Sequence, residues 1–445
     1  MAEKNLSLIR DSGIIGAGGA GFPTHVKLGA KVDSVIANGA ECEPLLCCDR
    51  QLMEKWPKKV IAGLKIALEL TGASKGYIGL KKKYSVAVRK LSDALKHEND
   101  NKIEIFTLDN FYPAGDEQVL VYEILGKVIP EGGIPLNVGV VVDNVGTLAQ
   151  VSEAVEGKNV TDRWVTITGA VNEAQTRRLP IGTPASKAIE TAGGVAVKPF
   201  AVISGGPMMG KLLSSLEEPI TKTTSGIIVL PEDHYVIRSK KRSPSINVKY
   251  TISACIQCQL CTDVCPRRNL GKFVCPDKVM KGIAYGIISE PKHLTTSFLC
   301  VECGVCTHYG CPMGLDPCGM MVKTKNELAA SGLNNPHNAK GLTANEFRTY
   351  RKVPVKRLIS RLDLSDYDIE APMNDEKVKI SGVTIPLKQH IGAPAVPVVE
   401  IGERVERGQL IAAIPAKGFG ANYHASISGI ITNITKSITI ESGEP

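Results

Sequence analysis

The chain has 445 residues, 43% hydrophobic and 22% charged, with 53 Lys and Arg against 45 Asp and Glu. This length predicts about three or four domains, and the composition is that of a soluble globular protein. No stretch approaches the ~18 apolar residues that a membrane span needs, and the N-terminus lacks a secretory apolar segment, so we expect neither membrane spans nor secretion. The net charge of +8 is spread in short basic runs without interleaved aromatics, which argues against nucleic acid as a partner.

The first informative stretch is a glycine-rich loop. It contains Gly16, Gly18, Gly19 and Gly21 and ends at Phe22. Closely spaced glycines let backbone amides approach an anion, and a helix that begins soon afterwards would add its positive end. A tight turn without a ligand has the same composition, and no clear strand precedes this loop as one does in a dinucleotide-binding fingerprint. The loop by itself does not decide between an anion-binding loop and a tight turn without a ligand.

The region after the loop alternates between strands and helices. We predict strands at 34–38, 75–80, 103–108 and 138–142 and helices at 52–70 and 84–97. This alternation indicates an open, mostly parallel α/β sheet, in which ligands bind beyond the carboxyl ends of the strands. Polar residues follow three of these strands, namely Asn38, Glu41 and Glu43; Gly115, Asp116 and Glu117; and Asn144 and Thr147. The alternative for each acidic residue is a helix cap or an exposed loop charge.

A second unit follows at 163–215. We predict a strand at 163–169, a helix at 184–192 and a strand at 201–204, which ends in a glycine-rich turn with Met208 and Met209. The two methionines favour a turn with core side chains over a cofactor surface. Residues 216–249 are polar with a basic run, and we predict a linker there.

Two cysteine runs occupy the centre of the chain, and each contains three evenly stepped cysteines followed by Cys-Pro. The runs comprise Cys255, Cys258, Cys261 and Cys265, and Cys300, Cys303, Cys306 and Cys311. This pattern is typical of [4Fe–4S] clusters, and in two-cluster ferredoxins the fourth cysteine of each run ligates the other cluster. The predicted ligand sets are therefore Cys255, Cys258, Cys261 and Cys311 for one cluster, and Cys300, Cys303, Cys306 and Cys265 for the second.

Zinc is the alternative metal, because paired Cys-x2-Cys motifs also form tetrahedral sulfur sites. Zinc sites use two close pairs, whereas these runs have three even steps. One departure from the pattern concerns Cys311. Four residues separate it from Cys306, whereas three residues separate Cys261 from Cys265 in the first run. Cys275 and Cys318 lie near enough in the sequence to substitute, although small buried hydrophobic roles are expected for both. Thirteen cysteines, eight of them in these runs, also indicate a reducing compartment.

The C-terminal region reads as a small β domain. Short alternating strands broken by glycines between 378 and 431 predict a flattened barrel similar to a biotinyl or lipoyl barrel-sandwich domain. Lys417 follows a strand where a carrier domain presents its modified lysine, but no carrier motif surrounds it. We therefore expect a scaffold or docking role. The lone histidines His308, His337 and His390 are expected at exposed loop positions.

Four N-terminal motifs, GAGGAGFPT, ANGAECEP, YPAGDEQVLVYEILG and VDNVGTLAQV, resemble the flavin-binding signatures of the NADH-oxidising subunit of respiratory complex I. They are also similar to those of the Rnf complex C subunit and of the cobalamin reductases of propanediol utilisation. The resemblance implies FMN contacts from Gly16, Gly18, Gly19, Gly21, Phe22, Lys27, Asn38, Gly115, Asn144 and Thr147. It places Glu41, Glu43, Asp116 and Glu117 at the flavin and nicotinamide face, with Phe22 as a stacking candidate.

The order of domains favours one of these relatives. In the Rnf C subunit the segment that resembles residues 385–412 is N-terminal and a charged tail ends the chain, whereas here the segment comes last, as in the cobalamin reductases. The predicted domains are an FMN and NADH-binding α/β domain, a β-grasp ligand-binding domain of the SLBB type, a linker, a two-cluster ferredoxin domain, a connector and a barrel-sandwich domain. Their boundaries are 1–158, 159–215, 216–249, 250–322, 323–374 and 375–445.

The predicted function is NADH-dependent reduction of cobalamin through FMN and two [4Fe–4S] clusters. Flavin accepts two electrons together and releases them singly, which a hydride donor and one-electron clusters require; the cobalamin acceptor rests on the resemblance alone. The resemblance also implies a cytoplasmic bacterial microcompartment with an adenosyltransferase, a B12-dependent diol dehydratase and a shell protein as partners. The alternatives are an electron-input subunit of an ion-translocating Rnf-type complex and a scaffold that has lost flavin.

Overall fold

The computed structural model describes residues 2–98, 101–286, 290–416 and 418–443. Its N-terminal unit is an α/β sheet with flanking helices. Its elements are α1 (Ala2–Asp11), α2 (Thr24–Leu28), β1 (Ser34–Gly39), α3 (Cys48–Lys55), α4 (Pro57–Thr71), β2 (Lys75–Lys81), α5 (Ser85–His97), β3 (Ile103–Leu108), β4 (Phe111–Tyr112), α6 (Glu117–Leu125), β5 (Val140–Asn144) and α7 (Val145–Val155). The sheet has the order β3-β2-β1-β5, and all its strands are parallel. The predicted parallel sheet is therefore present.

Local sequence explains where these elements begin, end and pack. Helix α4 begins with Pro57 in its first turn and ends at Gly72, which adopts φ +71°. A Cβ on Gly63 would lie 1.8 Å from the carbonyl oxygen of Leu148, so only glycine allows α4 to approach α7 this closely. Strand β1 is apolar and almost wholly buried, as expected for a parallel strand with helices on both faces.

The second unit is a mixed sheet with two helices. Its strands are β6 (Asp162–Gly169), β7 (Gln175–Pro180), β8 (Phe200–Ser204), β9 (Lys211–Leu212) and β10 (Gly226–Pro231), and its helices are α8 (Ala185–Thr191) and α9 (Tyr235–Lys241). Strand β10 lies between β6 and β8, parallel to the first and antiparallel to the second. The segment 216–249 is therefore not a linker. Its run from Ile227 to Leu230 is buried at the centre of this sheet.

The cysteine-rich unit is mostly helical. It contains α10 (Pro244–Ala254), α11 (Leu260–Asp263), α12 (Pro266–Asn269), α13 (Pro276–Tyr285), α14 (Lys292–Thr295) and α15 (Pro317–Ala330), with a π-helical turn at Cys306–Gly310. Helix α13 lies between the two cysteine runs, and residues 287–289 lie outside the described residues. Helix α15 crosses the predicted boundary at 322.

The segment from 345 to 375 ties the other units together. It includes β11 (Val353–Pro354), which pairs with β4, α16 (Val355–Arg361), and β12 (Met373–Asn374), which pairs with β7. Its backbone thus forms a two-stranded ribbon with β4 and extends the edge of the mixed sheet at β7.

The C-terminal unit consists of two small antiparallel sheets. Its strands are β13 (Gly382–Pro386), β14 (Val396–Pro397), β15 (Arg404–Val405), β16 (Leu410–Ala413), β17 (Tyr423–His424), β18 (Gly429–Ile434) and β19 (Ser437–Glu441). The sheet orders are β13-β19-β18-β15 and β14-β16-β17. Lys417 lies outside the described residues. Among the helices of the described residues, none has the length and apolar character needed to cross a bilayer.

Candidate functional site

Four of the predicted cluster ligands surround one cavity. Its lining includes Cys255, Cys258, Cys261 and Cys311, which we call the outer site. Cys258 is exposed and Cys261 and Cys311 are buried, so the cavity reaches the surface on one side. The structure thus brings Cys311 of the second cysteine run together with three cysteines of the first run.

The unusual spacing before Cys311 has a structural explanation. Residues Cys306–Gly310 form a π-helical turn, which takes up one residue more than an α-helical turn would. A Cβ on Gly310 would lie 2.7 Å from Val264 and 3.3 Å from the Cα of Cys261, so glycine allows this turn to approach the first run closely. The extra residue is therefore absorbed before Cys311, whose side chain still reaches the outer site.

The remaining four predicted ligands, Cys265, Cys300, Cys303 and Cys306, form what we call the inner site. Burial raises the pKa of the Cys303 thiol well above its usual range, and the neighbouring Cys265 and Cys300 raise it further. Buried thiols of this kind stay protonated until a metal displaces the proton.

A fifth thiol lies at the inner site. Cys318 is at the start of α15 and is hydrogen-bonded to both Cys300 and Cys306. Its backbone amide donates to Thr307 Oγ1 at 3.0 Å. Cys275, the other candidate substitute, is buried in the core of the cysteine-rich unit.

The cysteine sites fit clusters better than single ions. Within the described residues, no three His, Cys, Asp or Glu side chains converge closely enough to hold one metal ion. At the outer site the four thiols instead surround a cavity. Such an arrangement suits a multi-iron cluster, whose iron atoms each take a separate thiolate.

The glycine-rich loop lies beyond the carboxyl ends of β1 and β5. Its Ala17 amide donates to Thr147 Oγ1 at 2.9 Å, and the Ala17 carbonyl accepts from Arg163 at 2.9 Å. Gly18 and Gly19 are exposed, and their amides donate no hydrogen bond to any described residue. A Cβ on Gly18 would meet Asn144 Nδ2 at 3.1 Å. The loop therefore offers free amides beside a space that stays open because these positions are glycines. This arrangement fits a phosphate-bearing cofactor such as FMN.

Two of the predicted flavin motifs approach each other closely at Asn38 and Gly115. Asn38 Nδ2 donates to the Gly115 carbonyl at 2.9 Å, and the Gly115 amide donates to Cys42 Sγ at 2.6 Å. A Cβ on Gly115 would lie 2.6 Å from the Ala40 carbonyl oxygen. Glycine is thus required here because the backbone after β1 leaves no room for a side chain.

The four predicted acidic residues contact protein groups. Glu41 accepts from the amides of Asp49 and Arg50 at 3.2 and 3.3 Å, at the start of α3. Glu43 accepts from the amides of Met208 and Met209, both at 2.9 Å, and so fixes the glycine-rich turn of the second unit. Met208 is buried and Met209 is 55% exposed, so only the first is a core side chain.

The acidic pair after β4 has a different environment. Asp116 caps α6 by accepting from Gln118 and Val119, and it forms an ion pair with Arg267 at 2.7 Å. Glu117 pairs with Lys27 at 3.2 Å. Burial lowers the pKa of Lys27, but Asp143 and Glu117 raise it more, so its pKa lies above the ordinary value.

Glu41 gives a pH-dependent prediction. Burial, together with the charge of Asp49, raises its pKa from 4.5 to about 8. Between these values the folded protein keeps a proton that the unfolded chain has lost, so the free energy of unfolding falls as the pH rises through this window. We expect Glu41→Gln to flatten that fall in urea unfolding curves, whereas Glu69→Gln, at an exposed position, leaves it unchanged. An unaltered slope in Glu41→Gln would contradict the assignment.

The flavin motif that begins at Tyr112, which we call the flavin motif from here on, contacts the inner site directly. Tyr112 donates its hydroxyl to the Cys303 carbonyl at 2.8 Å, and Arg267, two residues after Cys265, binds Asp116. Sequence reasoning missed both residues. Arg267 could have been noticed as a charge directly after Cys265-Pro266, but nothing local marks Tyr112 as a partner of the second cysteine run.

The C-terminal unit covers the glycine-rich loop. The Ile391 amide donates to the Gly21 carbonyl at 3.3 Å, and the rings of Phe22 and Phe419 meet edge to face at 5.2 Å. Buried Lys222 donates to the carbonyls of Gly13 and Asn422 at 2.6 and 2.7 Å. The last unit of the chain thus supports the loop that precedes α2.

Two histidines predicted to be exposed are buried. His390 lies 2.7 Å from the Tyr423 hydroxyl, and His308 is enclosed in the π-helical turn. The prediction was wrong because long-range packing, which no local pattern reveals, covers both rings.

Comparisons with known proteins agree with this architecture. Residues 9–153 match the Nuo51 FMN-binding domain, 164–212 the SLBB domain, 254–316 the 4Fe-4S dicluster domain and 370–444 the RnfC barrel sandwich hybrid domain. The chain is 41% identical to the cobalamin reductase PduS of Citrobacter freundii, over 98% of this chain and 96% of that protein.

Two further comparisons are less extensive. This chain is 40% identical to the C subunit of the Na(+)-translocating ferredoxin:NAD(+) oxidoreductase complex of Acetobacterium woodii. The match covers 60% of this chain and 58% of that subunit. The crystal structure of an NAD+-reducing [NiFe]-hydrogenase in the H2-reduced state shares the fold with a TM-score of 0.51 and 21% identity, over 78% of this chain and 69% of that one.

The fold and the matched domains define a multidomain oxidoreductase that combines an FMN-binding domain with a 4Fe-4S dicluster domain. The near full-length similarity narrows this class further. The chain belongs to the family of the cobalamin reductase PduS.

Proposed function

We propose that this protein oxidises NADH and reduces cobalamin, from cob(III)alamin to cob(II)alamin and then cob(I)alamin. The observation that carries the proposal is the serial placement of the flavin motif, the inner site and the outer site, with an exposed cysteine at the outer site. The names of its relatives support cobalamin as the acceptor. The complex I and hydrogenase resemblances suggest NADH as the donor.

The proposed cofactor residues follow from the contacts. FMN, when bound, takes an electron pair from a hydride donor and gives electrons singly to the clusters. We assign its phosphate side to Gly16, Gly18, Gly19, Gly21 and Asn144, with Thr147 holding the loop in shape through the Ala17 amide. The outer site and the inner site would each hold one [4Fe–4S] cluster.

The acidic residues act in this proposal mainly by positioning. Glu43 joins the flavin domain to the second unit through Met208 and Met209, while Asp116 joins it to the cysteine-rich unit through Arg267. The Asp116 link holds the flavin motif against the inner site. Asn38 and Glu117 remain proposed contacts of the flavin and the dinucleotide, as does Lys27, whose charge Glu117 and Asp143 partly balance.

The finer architecture also remains a proposal. The arrangement of β6, β7, β10 and β8 around α8 supports a β-grasp fold for the SLBB domain. The proposed setting is a bacterial microcompartment, with an adenosyltransferase, a B12-dependent diol dehydratase and a shell protein as partners. The similarity to the cobalamin reductases PduS supports this setting.

The test is NADH-dependent reduction of hydroxocobalamin by protein reconstituted anaerobically with FMN and iron, followed by absorbance with a trap for cob(I)alamin. We expect turnover that requires both FMN and iron. Bleaching of the flavin by NADH without any reduction of cobalamin would show that the acceptor is wrong. Co-purification with membrane subunits would instead favour the Rnf-type alternative.

A further inference from the structure

The mouth of the outer-site cavity combines exposed apolar side chains with positive charge. Ile256 and Met313, both in the cavity lining, are 60% and 46% exposed. Large apolar side chains grouped at a surface mark a binding site more often than an isolated one does. Lys278 and Lys281 line the same cavity from α13.

Helix α10, which precedes the outer site in the chain, also carries exposed apolar side chains. Its exposed side chains include Ile246, Tyr250 and Ile252, whereas Asn247 and Thr251 are buried. The usual arrangement of a surface helix is the reverse, with apolar residues toward the core. Ile252 lies in the last turn of α10, close in the sequence to Ile256, whereas Ile246 and Tyr250 share another face of the helix.

The charges at the mouth favour an anionic group. The carboxylate in the cavity lining, Asp277, lies 3.4 Å from Lys278 and also accepts from Thr262. Lys281 is exposed and forms no ion pair with a described residue. One positive charge at the rim therefore has no protein partner among the described residues.

We propose that the corrinoid docks at this mouth, with its methyl-bearing corrin edge against Ile256 and Met313 and its phosphodiester near Lys281. This inference rests on the proposed function, because it takes cobalamin as the acceptor. Cobalamin carries both methyl groups at its ring edge and one anionic phosphodiester, which match the exposed side chains of Ile256 and Met313 and the charge of Lys281, unpaired among the described residues. Docking here would bring the corrinoid to the open side of the outer site, where Cys258 is exposed.

The test measures binding as well as turnover, using full-length protein loaded with FMN and iron. Hydroxocobalamin affinity is determined by equilibrium dialysis for Ile256→Glu combined with Met313→Glu. Since a buried charge replaces apolar contact, we expect affinity to fall by about tenfold or more. The matched control is Ile401→Glu in the barrel-sandwich unit, where the side chain is 64% exposed and lies outside the cavity lining. Iron content and bleaching of the flavin by NADH must stay at parental levels in every variant compared.

A second variant tests the charge separately. Lys281→Glu should weaken the binding of cobalamin but leave that of cobinamide, which lacks the phosphodiester, unchanged. It should raise the KM for cobalamin and leave kcat nearly unaltered.

The outcomes separate this inference from the proposed function. If the parent reduces cobalamin while the double variant binds it as tightly as the Ile401→Glu control does, the docking site is wrong and the function stands. If the parent neither binds nor reduces cobalamin, the proposed function fails. An equal loss of cobalamin and cobinamide binding in Lys281→Glu would overturn the phosphodiester assignment.

Discussion

Replacing Cys311 with serine is expected to remove one of the two clusters and to abolish cobalamin reduction, while NADH still bleaches the flavin. Each [4Fe–4S] cluster takes four cysteine ligands, so the loss should be about half of the bound iron. The flavin motif contacts the inner site rather than the outer one, which is why electron entry should survive. Iron content, electron paramagnetic resonance of the reduced protein and anaerobic absorbance measure the three effects.

Cys275→Ser is the matched control for this experiment, because Cys275 is also a buried cysteine of the same unit. It should keep both clusters and full activity. Retention of the full iron content in Cys311→Ser would mean that another thiol completes the outer site.

Gly115→Ala is expected to have the largest effect on the flavin. The added Cβ would lie 2.6 Å from the Ala40 carbonyl oxygen and 3.0 Å from Cys42 Sγ, and backbone at that distance must move. Overpacking of this kind costs about 1–3 kcal/mol. FMN affinity, measured by quenching of flavin fluorescence, should therefore fall by about tenfold or more.

The comparison variant for Gly115→Ala is Gly382→Ala in β13. A Cβ there meets its nearest neighbour at 3.7 Å, which is ordinary contact, and the residue lies in the C-terminal unit rather than in a flavin motif. This variant should bind FMN as the parent does. Unchanged FMN affinity in Gly115→Ala, with normal folding, would remove Gly115 from the proposed flavin site.

The sequence predicted the α/β sheet because short apolar strands alternate with helices; β1, β2 and β5 are largely buried, whereas β3 at one edge is not. The run at 34–38 became β1, and the helix predicted at 84–97 became α5, since apolar residues in these segments follow the period of their own element. The ligand set of the outer site was also predictable in outline, because the spacing of the cysteines is itself the signal.

Other features depend on packing between distant segments and could not be predicted in this way. The run from Ile227 to Leu230 has the composition of a central strand, but its polar surroundings suggested a linker, and only pairing with β6 and β8 shows its place. The proximity of Cys318 to the inner site depends on the fold of α15. The contact between Phe22 and Phe419 joins residues at opposite ends of the chain.

The cover that the C-terminal unit places over the glycine-rich loop affects the order of events during synthesis. Ile391, Phe419 and Asn422 emerge from the ribosome after the FMN-binding domain and both cysteine runs. A nascent chain that has not reached them lacks part of the support for its flavin loop. The support of this loop is therefore complete only after the cysteine-rich unit has been synthesised.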